Sequence, residues 1–153
     1  MSIEEPEVPP QLPPPPINSP EAIERALAGN TIAIVGLSSQ PESSSYYVAS
    51  YLQEHGYRII PVNQRQQSIL GETSYPSLRD IPEKVDVVNA FRRPEEIPAI
   101  AQEAHEIGAK VLWMPLGIAN ARAGQWARAA GMTVVMNRCM KMEHMARYGH
   151  NEE

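Results

Sequence analysis

A chain of 153 residues, 42% of them hydrophobic, can build one core of ordinary domain size and leaves no room for a second catalytic domain. Its net charge is −5 and its 13 lysines and arginines are scattered, so no basic face is available to hold a nucleic-acid backbone. No apolar run approaches the roughly 20 residues that span a bilayer, the first residues lack the regions of a signal peptide, and a lone cysteine excludes an internal disulfide framework, so a cytoplasmic protein with neither membrane nor nucleic-acid partners is expected.

Residues 1–20 contain eight prolines, including Pro13 to Pro16, together with Glu4, Glu5 and Glu7. Such a segment cannot contribute a hydrogen-bonded core element. Residues 1–18 are therefore expected to form a flexible or polyproline-II arm, with residues 19–148 as one domain and 149–153 as a tail. A plain linker is one reading of the arm, and a ligand for an aromatic groove on a protein partner is another. Asn18 or Ser19 is expected to cap a short helix with Pro20 at its first position, ending near Gly29.

The segment TIAIVGLSSQPESSS, residues 31–45, carries the most information. Ile32 to Val35 have the near-continuous apolar character of a strand buried on both faces of a parallel sheet. Gly36 permits a sharp turn. Behind it Leu37, Ser38, Ser39 and Gln40 lead towards a helix whose start near Ser44 and Ser45 supplies unpaired N–H groups and a positive dipole end. An anion suits that place. Neither G-x-G-x-x-G nor G-x-x-x-x-G-K-[ST] is present, so a serine-capped strand-to-helix turn without a ligand is the competing reading.

Helical and strand patterns then alternate, which implies a parallel sheet with helices on both faces. A helix over 47–55 is followed by a strand over 57–62, a connection through Gly71 and a turn at 77–81. Strands are expected over 85–91, 110–114 and 132–136, separated by helices over 94–107 and 119–130 and followed by a final helix over 138–148. Right-handed crossovers predict a Rossmann-like doubly wound α/β domain of strand order 3-2-1-4-5. Its ligand is expected above the carboxyl ends of strands one and four.

The strand ends are expected to meet in space. The second ends in Val62, Asn63 and Arg65, where a dinucleotide site commonly places an acid to hold the ribose hydroxyls. Arginine instead favours a ribose carrying a phosphate, as in coenzyme A or NADP; a solvated arginine without a ligand is the alternative. Phe91, Arg92 and Arg93 close the third strand with an aromatic face and two cations, suited to bracketing a diphosphate or an adenine, or else serving the core and surface ion pairs. Met114, Pro115, Leu116 and Gly117 form an apolar end that suits a base or a pantetheine arm better than chemistry, while Trp113 reads as core. Cys139, beside Arg138, could join a mixed disulfide if it reached the ligand; burial in the core is the competing role. Dispersed His55, His105, His144 and His150 give no metal-ligand spacing.

Five blocks in order resemble the stand-alone CoA-binding protein family, whose domain is similar to the N-terminal domain of the succinyl-CoA synthetase alpha subunit: IAIVGLSSQPESSSYYVASYL, GYRIIPVNQ, ILGETSYPSLRDIPEKVDVVNAFRRPEEIP, GAKVLWMPLGIAN and GMTVVMNRCMKMEH. The resemblance covers about residues 20–148. It implies a Rossmann-like fold holding coenzyme A or an acyl-CoA, with Ser38, Ser39 and Gln40 matching the phosphate loop, Arg65 the nucleotide cation and Met114 to Leu116 a third contact segment. The loop departs from the synthetase pattern, which is richer in glycine, by carrying Pro41 and Glu42. Neither the synthetase's phosphohistidine domain nor a nucleotide-grasping domain has a counterpart, and no nucleophile and base share the strand ends. The expectation is therefore a non-enzymatic CoA-binding carrier, sensor or regulator. An NADP-binding oxidoreductase, or an interaction subunit recruiting a partner through the arm, are the alternatives; oligomeric state stays open.

Overall fold

The computed structural model describes residues 13–149. Its strands are β1 (Thr31–Val35), β2 (Arg58–Val62), β3 (Ser68–Ile69), β4 (Glu72–Thr73), β5 (Val87–Ala90), β6 (Val111–Trp113) and β7 (Thr133–Val135). Five of them form a central parallel sheet of order β2-β1-β5-β6-β7. The two-residue strands β3 and β4 make a small antiparallel hairpin within the expected connection through Gly71. The helices are α1 (Pro20–Leu27), α2 (Ser44–Glu54), α3 (Ile97–Glu106), α4 (Ala121–Ala129) and α5 (Met140–His144), with a π turn over Met145–Gly149. None of the described helices is long and apolar enough to cross a membrane.

Burial explains the two layers. Ile32 and Ile34 point into a core shared with α1, α2 and α5, whereas Ala33 and Val35 point into one shared with α3 and α4. The unbroken apolar run of β1 is thus the mark of a strand covered on both faces. Ser19, not Asn18, caps α1, its hydroxyl accepting the Ala22 N–H at 3.1 Å. The Asn18 side chain instead exchanges two hydrogen bonds with the Met136 backbone, at 2.9 and 2.7 Å, beside the edge strand β7.

The strand order corrects the expected 3-2-1-4-5. Counted along the sheet strands alone, the order is 2-1-3-4-5, because β5 lies against β1, with Ile32 opposite Val87 and Val35 opposite Ala90. Pro61 gives the physical reason. It has no N–H, so it belongs on the open side of an edge strand, and its carbonyl indeed accepts from Tyr75 on the side away from β1. Had β2 been interior, that position would have broken a ladder. β5, with all four residues buried, takes the central place instead.

Asp86 locks this pairing at the other end. Its carboxylate accepts the N–H groups of Asn30 and Thr31 at 2.9 and 3.0 Å. Asp86→Ala is expected to cost about 1.5 to 3 kcal/mol, the scale of a hydrogen bond to a charged group, read as a lower urea midpoint at unchanged slope.

Part of the expected arm is packed against the domain. The Pro14 and Pro15 carbonyls accept from the Arg128 guanidinium at 2.6 and 3.0 Å, and Ile17 packs on the α3/α4-side core. Residues 1–12 and 150–153 lie outside the described residues.

Candidate functional site

A cleft of about 770 Å³ opens at the carboxyl ends of β1, β2 and β5. This is where strand order reverses, between β1 and β5, and not between strands one and four as the expected topology required. In such sheets the reversal leaves a crevice between connections that depart to opposite faces.

Gly36 lies at its centre. Its φ is +80°, and an added Cβ would collide with the Phe91 carbonyl oxygen at the end of β5. The loop that follows is held from inside. Leu37 buries its side chain in the α1/α2/α5-side core, the Ser38 N–H donates to the Ser45 hydroxyl at 2.9 Å, and the Gln40 N–H donates to the Ser38 hydroxyl at 3.0 Å. Ser43 caps α2 by accepting the Tyr46 N–H. Among the described residues the Ser39 amide has no protein acceptor, and the first-turn amides of Ser44 and Ser45 lack helical partners by geometry.

Asn63 ties the second rim to the first. Its Nδ2 donates to the Leu37 carbonyl at 2.8 Å, and its Oδ1 accepts the Arg65 N–H at 2.7 Å. One side chain thereby fixes the distance between the serine loop and the arginine-bearing turn. Arg65 is exposed at the cleft, and among the described residues its guanidinium pairs with no carboxylate. Arg92, by contrast, contacts Glu96 at 3.0 Å, and Arg93 contacts Glu95 and Glu96 at 3.5 and 3.4 Å. Desolvation of the Glu96 carboxyl favours its acid form, but the Arg93 N–H hydrogen bond and the Arg92 and Arg93 charges outweigh it and hold the group below the ordinary carboxylate range.

The structure gathers Gly36, Ser38, Ser39, Gln40, Val62, Asn63, Arg65 and Arg92 at this cleft. Phe91 and Arg93 line a hollow of about 570 Å³ beside it. Leu37 and Ser45 support the loop from the interior, and Ser44 is exposed on α2. The apolar strand end does not join them: Met114 and Pro115 are buried, Leu116 and Gly117 are exposed, and none lines the cleft. Gly117 instead donates its N–H to Asn137 at 2.7 Å, so the ends of β6 and β7 meet each other one strand further on. Cys139 sits at the start of α5, partly buried against the α1/α2/α5-side core and outside the cleft lining. Glu42 is exposed and also outside it.

Sequence reasoning missed a whole wall. Gln64 and Gln66 extend the second rim, Pro76, Ser77 and Leu78 come from the connection after the hairpin, Glu96 comes from the turn before α3, and Ala99, Ile100 and Glu103 come from α3 itself. That helix borders the cleft because β5 is the neighbour of β1. Pro61 was the signal available to find it.

A family model for a CoA binding domain matches residues 30–145. The chain belongs to that family. The uncharacterized protein YneT of Bacillus subtilis (strain 168) is 42% identical to this family member over 113 residues, covering 74% of this chain and 84% of YneT. A solved structure of a hypothetical protein from Pyrococcus horikoshii OT3 shares 40% identity with a TM-score of 0.79, covering 82% of this chain and 89% of its own. The alpha subunit of acetate–CoA ligase (ADP-forming) II from Pyrococcus furiosus is 37% identical over 57 residues, which are 37% of this chain and 12% of that subunit.

The residues present fit the ligand that the family implies. Gly36 leaves the space a side chain would fill at the reversal point, the Ser39 amide at the cleft has no protein acceptor among the described residues, and a cation stands on the opposite rim.

Proposed function

We propose that this protein binds coenzyme A or an acyl-CoA in the cleft above β1, β2 and β5 without transforming it, as a carrier, sensor or regulator. The observation that carries the reading is Arg65, a cation without a protein carboxylate partner among the described residues, held by Asn63 across from the serine loop. A guanidinium so placed is matched to a phosphate. Ser38, Ser39 and Gln40 hold the diphosphate, with Gly36 allowing its approach, and Arg65 takes the phosphate on the ribose.

When bound, coenzyme A supplies a thiol that carries acyl groups as thioesters. The chain's own ionisable groups at the cleft are Arg65, Arg92, Glu96 and Glu103. Two cations and two carboxylates, one of them engaged by Arg92 and Arg93, support holding a ligand more readily than general acid–base work. The ligase activity named for the Pyrococcus furiosus relative concerns a protein of which this chain matches a small share.

Calorimetric titration of the reduced protein with coenzyme A, NADP and NAD tests the reading. Binding of coenzyme A with little or none of NAD or NADP is the expected result. Binding of NADP in preference would transfer the site to a hydride cofactor, and no binding of coenzyme A would refute the proposal.

A further inference from the structure

The hollow beside the cleft is lined by Phe91, Arg92, Arg93, Pro94, Glu96 and Ile118. Arg92 and Glu96 line the cleft as well, so the two spaces adjoin at the Arg92–Glu96 ion pair, whose shortest contact is 3.0 Å. The hollow differs from the cleft in chemistry. It has no serine loop and no unpaired cation: its arginines are held by Glu95 and Glu96, while Phe91, Pro94 and Ile118 supply apolar surface. Phe91 and Ile118 are each partly buried against a core cluster, which keeps their exposed faces in place. The same turn that carries Ile118 also presents Leu116, 63% exposed.

We infer that this hollow is the subsite for the acyl end of the ligand, and that it takes an uncharged aliphatic acyl chain; the inference rests on the CoA reading above. Coenzyme A carries its acyl group at the end of the pantetheine arm remote from its phosphates, so a ligand seated with its phosphates at the serine loop sends that end away from the loop, and the adjoining hollow offers apolar surface on Phe91, Pro94 and Ile118. Glu95 and Glu96 hold both arginines of the hollow, leaving no free cation there to pair with a carboxylate, so acyl groups ending in an acid are disfavoured. The increment in binding from lengthening the chain comes from contact with Ile118 and Phe91, because each methylene removed from water contributes up to about fourfold in affinity.

The test compares adenosine 3′,5′-bisphosphate, coenzyme A, butyryl-CoA, octanoyl-CoA and succinyl-CoA on the full chain and on Ile118→Asp and Ile118→Ser in parallel. Octanoyl-CoA is expected to bind about tenfold more tightly than coenzyme A. Both substitutions should remove most of that gain while leaving the bisphosphate, which has no acyl arm, unchanged; succinyl-CoA should bind no better than coenzyme A. If coenzyme A binds but octanoyl-CoA binds no more tightly, if both variants retain the gain, or if succinyl-CoA gains as much, the acyl subsite is refuted and the CoA reading stands. If neither the bisphosphate nor coenzyme A binds, both fail.

Discussion

Replacing Gly36 with alanine is expected to lower stability by about 3 kcal/mol and to abolish ligand binding. Two costs add. The residue has φ +80°, which costs an L side chain roughly 1 to 2 kcal/mol, and the new methyl group meets the Phe91 carbonyl oxygen, where relief requires moving the end of β5, an overpacking cost of about 1 to 3 kcal/mol. Gly71 separates the two contributions, since its φ is +76° but nothing lies within contact of a Cβ there. Gly71→Ala should therefore lose only the conformational share. Equal losses at both positions in urea denaturation would show that the approach of β5 to the loop is not a constraint.

Trp113→Ala should be more damaging still, at about 4 kcal/mol, within the range for removing a buried large aromatic. The indole is completely buried at the end of β6, packed in the α1/α2/α5-side core, and its Nε1 donates to the Arg138 carbonyl at 2.8 Å. It therefore ties the central sheet to the turn that starts α5. Trp113→Phe keeps most of the packing and loses the donor, leaving the Arg138 carbonyl unpaired at a cost of about 1 to 2 kcal/mol. Thermal unfolding of the two variants distinguishes packing from hydrogen bonding: similar losses would mean that the hydrogen bond dominates.

The alternation of elements was legible because each sheet strand is an apolar run bounded by helix-stopping residues, and Ile32 to Val35 could belong only to a strand covered on both faces. Two helix starts have local causes: α2 begins at Ser44 behind its Ser43 cap, where the serine loop placed it although the helical pattern was read only from Tyr47, and Pro94–Glu96 form a 3-10 turn before α3, which carries Pro98 in its first turn, where a missing N–H costs no helical bond. Strand order was not legible from periodicity, which reports burial and not neighbours. The connection from β2 to β5 carries a hairpin and a 3-10 turn in place of a helix, removing the usual guide to where the chain returns. Only the missing N–H of Pro61 spoke against an interior β2.

The candidate site divides along the same line. Gly36, Ser38 to Gln40, Asn63 and Arg65 follow β1 and β2, and were legible because each sits directly after a strand. Asn63 nonetheless braces the loop, through Leu37, which its position as a strand-end polar residue did not disclose. Ala99, Ile100 and Glu103 join the cleft only through the adjacency of β1 and β5. Met114 to Gly117 also follow a strand directly and were expected to join them, but β6 stands beyond β5, which puts their segment outside the cleft and next to the hollow lined by Ile118.

The most direct measurement is the affinity of coenzyme A and of 3′-dephospho-CoA for the protein and for Arg65→Ala, taken as a four-member cycle. If Arg65 holds the ribose phosphate, removing that phosphate weakens binding to the unaltered protein by about 1.5 to 3 kcal/mol, the size of a charged hydrogen bond, and changes binding to Arg65→Ala hardly at all. If the loss on removing the phosphate is the same with and without the arginine, Arg65 does not read that phosphate and the account of the cleft is wrong.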